Sequence, residues 1–366
     1  MAAIPELDIV VDQKNYEKGL RDVLKVVRPT WKSEDIKFKY LTQGYSNHML
    51  ACFIDEDNKD DDWIVARIFG TDLDFGQQRD VEVKNSKLFA EREIGPTVYC
   101  VFKNGLLFQF IKGKTFFWTD LSAFRDIKLC KAIAREMAKV HCKKTYKQAV
   151  EKYNIDKAKN IEVILEELVV KPWPECIIDE ETTKWYNSKV PSMEERQKEM
   201  KMLMELLRVK SIPKALCHGD CNPTNVIYDE ENDKATLVDY EGAGISMPIL
   251  DIAGFLGSAA YGFSPDPEGL DYTPEFKREF MMEYFREKNK LDGEPEEVDE
   301  RVLSTYLTML EIADIGFNYF WHMMATLLAT APTSHGDNSF FLKVGVSRLE
   351  YYYKHRERML AMPIPE

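Results

Sequence analysis

The stretch CHGDCNPTNVIYDEENDKATLVDYEG, from Cys217 to Gly242, decides how the rest of the chain is interpreted. Asp220 and Asn225 stand in a D-x-x-x-x-N spacing in a polar loop, and two short apolar segments then lead to Asp239. Phosphoryl transfer needs a carboxylate that orients the attacking hydroxyl, and oxygen ligands for the Mg²⁺ that bridges the phosphates. The stretch contains these groups in a suitable order, which favours a site that handles phosphate.

Two other kinds of site fit parts of the same stretch. Cys217, His218 and Cys221 form a C-H-x-x-C pattern, but structural zinc usually takes two spaced pairs, and the sequence offers no second pair at a suitable distance. A cysteine nucleophile beside His218 is less favoured, because adjacent residues of an extended segment point to opposite sides. A capped turn with solvated acids is the structural alternative. The phosphate interpretation accounts for more of the residues, since protein kinases place an H-R-D-x-x-x-x-N loop before the Asp of D-F-G.

Composition restricts the partners. The chain has 366 residues and a net charge of −13, so it repels nucleic acid and anionic lipid, and neither is an expected partner. The seven cysteines include no C-x-x-C pair, which indicates a reducing compartment. The N-terminus does not have the pattern of a signal peptide, and no apolar run is long enough to predict a transmembrane segment. We therefore expect a cytoplasmic location.

The chain divides into a β-rich part and a helical part. Alternating apolar residues and the Asn104-Gly105 turn predict a mostly antiparallel sheet with one helix in residues 1–110. Periodic apolar residues predict long helices in residues 111–366, whereas residues 157–189 and 262–273 are expected to connect or cover them. The first part is the expected nucleotide-binding lobe, and the second is the expected catalytic and substrate-binding lobe.

The first part contains candidates for nucleotide binding. The turn in TQGYSNHML, with Gly44, Ser46 and Asn47, could direct backbone N–H groups toward phosphates. Arg67 is the basic residue of its strand and would point a cation at the α- and β-phosphates, paired with Glu82 of the next helix. The adenine ring would lie against a hinge formed by Gln109, Phe110 and Ile111.

These motifs resemble those of the choline/ethanolamine kinase family over most of the chain. Besides the catalytic stretch, the resemblance includes the turn from Gly44 to Asn47 and the segments ARIFG, GLLFQFI, AKVHC and DIAGFL. It implies an α+β, two-lobed, protein-kinase-like fold that uses ATP and Mg²⁺. It also implies that Asp220 is the catalytic base and that Asn225 and Asp239 are the Mg²⁺ ligands. The implied reaction is phosphorylation of the hydroxyl of a small amino alcohol, at the first step of phospholipid head-group synthesis.

The chain departs from the family pattern where the amine would bind. Positions that carry aromatic or acidic residues in the family are occupied here by Gly242, Ser258, Ala259 and Met324. A quaternary ammonium depends on aromatic faces, whereas a primary ammonium depends more on hydrogen-bond acceptors. The resemblance with these losses slightly favours ethanolamine over choline. The candidate wall residues that remain are Glu241, Tyr261, Phe263, Trp321 and Tyr352.

Other functions stay open at this stage. The HGD triplet also resembles aminoglycoside phosphotransferases, which makes a kinase of another small alcohol the second enzyme hypothesis. The altered amine pocket motivates a binding module without turnover, but the presence of Asp220, Asn225, Asp239, Arg67 and Glu82 argues against it. We expect His218 to brace the loop and Asp251 to anchor it by accepting backbone N–H groups. A homodimer is compatible with the sequence.

Overall fold

The structure, a computed structural model, describes residues 4–43, 47–58, 62–70, 79–157, 161–170, 178–330 and 338–364. The chain forms two compact units. The first unit consists of Met1–Lys114 and Ile227–Glu241, and the second consists of Thr115–Val226 and Gly242–Glu366. The assignment of nucleotide binding to residues 1–110 and of catalysis to residues 111–366 concerns function and stays a prediction.

The secondary structure elements follow one another in two runs. The first run is β1 (Glu6–Leu7), α1 (Tyr16–Val27), β2 (Lys37–Gln43), β3 (Asn47–Phe53), β4 (Ile64–Phe69), α2 (Arg79–Glu91), β5 (Val98–Phe102), β6 (Gly105–Gln109) and β7 (Lys114–Thr115). The second run is α3 (Ile127–His141), α4 (Lys143–Glu151), α5 (Ile161–Val170), α6 (Glu180–Asn187), α7 (Met193–Leu207), β8 (Ala215–Cys217), β9 (Val226–Asp229), β10 (Lys234–Leu237), β11 (Gly244–Ser246), α8 (Pro248–Tyr261), α9 (Pro274–Asp292), α10 (Glu300–Thr330) and α11 (Asn338–Leu360).

The first unit is built on a six-stranded sheet with the order β1-β5-β6-β4-β3-β2. Neighbouring strands are antiparallel except for β1 and β5, which confirms the prediction of a mostly antiparallel sheet. The predicted Asn104-Gly105 turn joins β5 to β6, where Phe102 pairs with Gly105. The amide of Asn104 also bonds the backbone N–H and C=O of Val11, at 2.9 and 2.8 Å. This side chain therefore ties the N-terminal segment to the hairpin.

The second unit is mainly helical, as predicted. Its long helices have the expected end signals: Ser192 and Glu195 form a capping box on α7, and Thr273 caps α9. The expectation for residues 157–189 was wrong, because α5 and α6 lie there. Helix α6 is only eight residues long and is held by tertiary packing, since Tyr186 is buried and its hydroxyl bonds Thr326. Residues 262–273 contain neither a helix nor a strand.

A buried polar row runs along the 31-residue helix α10. Its members recur every four residues, so they lie on one helix face: Asp314, Asn318, His322 and Thr326. Each side chain forms a hydrogen bond, with partners that include Tyr261 for Asp314 and the Gly345 carbonyl for His322. In the part of the chain that the structure describes, no helix combines the length and the apolar character needed to cross a membrane.

Candidate active site

Asp251 of α8 fixes the loop that follows β8. The backbone N–H groups of His218 and Gly219 donate to Oδ2 and Oδ1 of Asp251, at 2.5 and 2.9 Å. His141, at the end of α3, pairs with the same Oδ2 at 3.0 Å. Burial acts to raise the pKa of Asp251, but the hydrogen bond and charge of His141, with His218 and the Gly219 N–H, bring it below its usual value. The expectation that Asp251 anchors the loop is confirmed.

The cysteines of this region have the environment of core residues. Cys217 and Cys221 are buried, and burial raises the pKa of both thiols well above the usual value, so they stay protonated. Potential ligand atoms of His141, Cys217 and Asp251 lie within 4.8 Å of one another. The Asp251 oxygens already accept hydrogen bonds from the loop and from His141. These contacts indicate an anchor for the loop rather than a thiol nucleophile or a zinc site.

The carboxylate of Asp220 is exposed and is held by two side-chain amides. Nδ2 of Asn225 donates to the backbone carbonyl of Asp220 at 2.9 Å and to its Oδ2 at 3.0 Å. Nδ2 of Asn222 donates to the other carboxylate oxygen, Oδ1, at 2.9 Å. The carboxylate therefore has a fixed orientation while one face stays accessible, which is what a group that accepts a proton from a bound hydroxyl requires. The loop thus brings Asp220 and Asn225 together.

Arg67 of β4 forms ion pairs with three carboxylates of the first unit. Its Nε lies 2.8 Å from Oε1 of Glu82, which confirms the predicted pair. Nη1 donates to Oδ1 of Asp239 at 2.8 Å, and Nη2 donates to Oε2 of Glu241 at 3.1 Å. Burial acts to lower the pKa of Arg67, but Asp239, Glu82 and Glu241 together raise it, so the guanidinium stays charged. Burial raises the pKa of Glu82, against the opposing effect of Arg67 and Arg79.

Asp239 follows β10 in an unusual backbone conformation that contacts of the next residue maintain. Its φ is +71°, in the left-handed region that Asp can adopt at a local cost of about 1 kcal/mol. The next residue, Tyr240, stacks on Phe89 of α2 with ring centroids 4.1 Å apart, and its carbonyl accepts a hydrogen bond from Asn85 at 3.0 Å. A Cβ at Gly95 would overlap the Tyr240 hydroxyl, so glycine is required there. Strain of this kind is common at functional sites, where the surrounding contacts maintain it.

A cavity of about 360 Å³ lies beside the predicted hinge. Its walls come from the end of β6 with the chain that follows it and from the β9–β10 hairpin, both in the first unit. The lining residues are Gln109, Phe110, Ile111, Lys112, Ile227, Asp229, Glu231, Asn232, Lys234 and Thr236. The three predicted hinge residues therefore border a space that is within the usual size range for small-molecule sites. Gly44 and Ser46 lie outside the described residues, and Asn47 begins β3.

Four aromatic rings form a cluster that includes Trp321 in the second unit. Phe263 lies 5.3 Å from Trp321 and 4.7 Å from Trp118, measured between ring centroids, and both contacts are edge-to-face. Phe341 of α11 joins at 5.7 Å from Phe263. Trp118 and Phe341 were not among the sequence-based candidates, because neither stands in a recognisable motif. Trp321 and Phe263 therefore lie together with two unforeseen neighbours, and their role as wall residues of an amine pocket stays a prediction.

The two tyrosines predicted as wall residues are buried, and their hydroxyls bond other side chains of the protein. Tyr261 is 2% exposed, and its hydroxyl donates to Asp314 at 2.9 Å. Tyr352 is 0% exposed, packs on Tyr319 and bonds Glu199. A fully buried side chain cannot touch a ligand without movement of the helices around it, so we leave Tyr352 out of the proposed pocket.

The sequence profile described as choline/ethanolamine kinase matches residues 38–353. The chain belongs to the choline/ethanolamine kinase family. This assignment makes it a phosphotransferase acting on an alcohol.

Three relatives of this choline/ethanolamine kinase family member match nearly its whole length. Ethanolamine kinase 1 of Mus musculus is 26% identical, over 99% of this chain and 96% of the mouse protein. The solved structure of a Plasmodium vivax ethanolamine kinase matches with a TM-score of 0.68 and 18% identity, covering 95% of this chain and 92% of that one. A choline kinase from Cryptosporidium parvum matches with a TM-score of 0.68 and 15% identity, covering 93% and 95%. The likeness to these structures shows the α+β kinase-like fold.

Asn222 of this family member, which donates a hydrogen bond to Oδ1 of Asp220, was not among the residues predicted from the sequence. A signal was present, because Asn222 precedes Pro223 and its side chain caps the following turn by accepting the N–H of Thr224 at 2.9 Å. Asn before Pro at the start of a helical turn is a common capping arrangement. The cap therefore positions the amide that reaches back to Asp220.

Proposed function

We propose that this protein transfers the γ-phosphoryl group of ATP to the hydroxyl of ethanolamine, the first step of phospholipid head-group synthesis. The observation that carries the proposal is the exposed Asp220 carboxylate, oriented by Asn222 and Asn225 on a loop that Asp251 anchors. Family membership supports ATP as the donor. The cytoplasmic location and the homodimer expected from the sequence stay predictions.

Asp220 is the proposed base. It accepts a hydrogen bond from the substrate hydroxyl, aligns the oxygen for in-line attack and takes its proton as the new P–O bond forms. The bond between the γ-phosphorus and the bridging oxygen breaks in the same step, and that oxygen leaves with ADP. The amides of Asn222 and Asn225 keep the carboxylate from rotating, so the hydroxyl is presented in one orientation. His218 has its backbone N–H bound to Asp251, which supports the bracing role expected for it.

Asn225 and Asp239 are the proposed Mg²⁺ ligands. Their amide and carboxylate oxygens are the donor type that Mg²⁺ prefers, and Asn225 uses its nitrogen rather than its oxygen to hold Asp220. When bound, Mg²⁺ would neutralise charge on the β- and γ-phosphates. The proposed roles of the other first-unit residues are phosphate contact by Arg67, support of Arg67 by Glu82, phosphate cover by Gly44, Ser46 and Asn47, and adenine contact by Gln109, Phe110 and Ile111.

The proposed amine end of the site lies at the aromatic cluster of Trp118, Phe263, Trp321 and Phe341. The rings contact one another edge to face, which leaves fewer aromatic faces for a quaternary ammonium. The absence of rings at positions 242, 258, 259 and 324 acts in the same direction. Together with the relatives named ethanolamine kinase, these features support ethanolamine over choline.

Asp220→Ala tests the proposed base. We expect turnover, measured as ADP release with ethanolamine, to fall about 10³-fold because no other group would orient and deprotonate the hydroxyl. Binding of Mg-ATP, measured by thermal shift, should survive. Asp266→Ala removes a carboxylate from an exposed loop and is the matched control, with both properties retained. Near-wild-type turnover of Asp220→Ala would show that the assignment is wrong.

A series of methylated substrates tests the amine preference separately. We expect kcat/KM to decrease from ethanolamine through its mono- and dimethylated forms to choline, since each methyl removes a hydrogen-bond donor. A preference for choline would overturn the substrate proposal and leave phosphoryl transfer intact. The absence of ADP release with any amino alcohol, despite binding of Mg-ATP, would instead indicate a binding module.

A further inference from the structure

Arg67 forms an ion pair with Asp239, the carboxylate that we assign to metal binding. Its side chain is 9% exposed and reaches Asp239 at 2.8 Å, while the Asp239 side chain is 35% exposed. Glu241, 27% exposed, takes the other terminal nitrogen at 3.1 Å. The planar guanidinium can bind both carboxylates at once because its donors form a rigid fork. Arg67 therefore stands where a divalent cation would otherwise balance the two acids.

Arg67 belongs to a group of two arginines and three acidic residues in the first unit. Glu82, Asp239 and Glu241 contribute three carboxylates, and the guanidinium groups of Arg67 and Arg79 contact them. Glu82 has both arginines as partners, with Arg79 at 3.0 Å, so it keeps a cation if Arg67 moves. Asp239 and Glu241 would lose the cation that pairs with them in the structure. Asp239, the proposed metal ligand, is thus the acid whose pairing in the structure changes most directly with the position of Arg67.

We propose that Arg67 is an internal counter-ion for Asp239 and Glu241, which makes the binding of a divalent cation depend on the binding of a nucleotide. In the nucleotide-free protein the guanidinium holds both carboxylates and competes with the metal ion. The phosphates of a nucleotide draw the guanidinium toward themselves, and Asp239 is then available to the metal. This inference rests on the proposed function, since it takes Arg67 as the phosphate contact and Asp239 as the ligand.

The coupling has a quantitative consequence. If Arg67 blocks Asp239 in 99% of the nucleotide-free molecules, the apparent dissociation constant of the metal increases about 100-fold. Coupling is reciprocal, so the metal ion must strengthen nucleotide binding by the same factor. Removal of the Arg67 charge should strengthen metal binding when nucleotide is absent and weaken the dependence of metal binding on nucleotide. A residue that contacts only the phosphates would not produce the first effect.

The experiment measures Mn²⁺ binding to the full chain from the loss of the free Mn²⁺ signal in electron paramagnetic resonance. Titrations with Mn²⁺ alone compare the wild type with Arg67→Met, and we expect at least tenfold tighter binding to the variant. Arg79→Met is the matched control, because it removes an arginine that shares Glu82, and its Mn²⁺ affinity should equal that of the wild type. Equal Mn²⁺ affinity of the wild type and Arg67→Met would overturn the proposal.

A second variant keeps the proposal testable if Arg67→Met does not fold. Arg67→Met combined with Glu82→Gln removes both members of the buried pair, which is less costly than removal of one member. The same gain in Mn²⁺ affinity is expected. Circular dichroism confirms that each variant is folded before titration.

Asp239→Asn separates a failure of this inference from a failure of the proposed function. If Asp239 is the ligand, this variant loses the Mn²⁺ site whether or not Arg67 blocks it. Loss of Mn²⁺ binding in Asp239→Asn without any gain in Arg67→Met would reject the counter-ion and keep the metal site. Unchanged Mn²⁺ binding in Asp239→Asn would reject the metal site itself, and with it the basis of both proposals.

Discussion

At the scale of single residues, Gly219 shows how closely the catalytic loop is packed. Its φ is +80°, and a Cβ there would overlap the carbonyl oxygen of Gly242. Its N–H is also one of the two that Asp251 accepts. The residue before Asp220 is therefore constrained by its backbone conformation, by a backbone contact and by a buried hydrogen bond.

Gly219→Ala should damage activity more than stability alone would explain. The new methyl must displace the loop from Gly242, and displacement of about 1 Å at a catalytic group can cost about 100-fold in rate. We expect kcat with ethanolamine to fall by that order. Gly269→Ala is the control, since Gly269 has a φ of +71° and nothing within 4 Å of its Cβ position. It should cost about 1 kcal/mol of unfolding free energy and leave kcat unchanged. Equal effects of both substitutions on kcat would contradict the steric explanation.

At the scale of elements, the polar row of α10 links this helix to α11 through His322. Its Nδ1–H donates to the Gly345 carbonyl at 3.0 Å, and the side chain is 0% exposed. Burial lowers the pKa of His322 to about 4, with the charge of Arg196 acting in the same direction and the Gly345 bond acting against it. The histidine is thus neutral in the folded protein over the whole physiological range.

This histidine makes the unfolding free energy depend on pH. In the unfolded chain its pKa returns to about 6.5, so between about 6.5 and 4 the unfolded state binds the extra proton and stability falls as the pH falls. From pH 7 to pH 5 we expect a loss of about 2 kcal/mol from His322, measured by urea unfolding. His322→Asn keeps a donor for Gly345 and should flatten this slope.

The control for the pH experiment is His355→Asn, at a half-buried position of α11. It shows how far the removal of a histidine outside the α10 row alters the same slope. If His322→Asn and the wild type had parallel pH profiles, the neutral buried state of His322 would be refuted.

At the scale of the whole molecule, the β9–β10 hairpin belongs to the first unit although it lies more than 110 residues further along the chain. Tyr240 packs on Phe89, Asn85 bonds the Tyr240 carbonyl, and Asp239 and Glu241 pair with Arg67. The first unit is therefore incomplete without residues 227–241.

Fragments test this dependence. Residues 1–114 expressed alone should unfold at a lower temperature than residues 1–114 joined to residues 227–241, because the fragment exposes Phe89 and leaves Arg67 with fewer acidic partners. A short Gly/Ser linker suffices for the join, since a Cβ at Gly113 would lie 2.8 Å from Ile227. Thermal unfolding followed by circular dichroism provides the comparison. Equal midpoints would show that the hairpin contributes nothing to the unit.

Features that depend on a local sequence pattern or on the spacing of a motif could be predicted from the sequence. The Asn104-Gly105 hairpin, the Arg67–Glu82 pair and the anchor at Asp251 follow from turn chemistry, strand position and the motif, and the structure has all three.

Contacts between distant segments were not predictable in this way. The pairing of Arg67 with Asp239 and Glu241, the packing of Tyr240 on Phe89 and the rings of Trp118 and Phe341 around Phe263 join residues far apart in sequence, with no periodicity or motif to relate them. Helix α6 was missed for the same reason, because the buried Tyr186 stabilises it from outside its own sequence.

The contact between Gly219 and Gly242 also restricts how substrate preference can change. A Cβ at position 242 would lie 3.3 and 3.4 Å from the carbonyl carbon and oxygen of Gly219, so an aromatic residue there would press on the catalytic loop. A ring engineered at this position would require the loop to shift by about a few tenths of an ångström. A substitution at Gly242 that is meant to alter the amine pocket would therefore also act on the backbone of the catalytic loop.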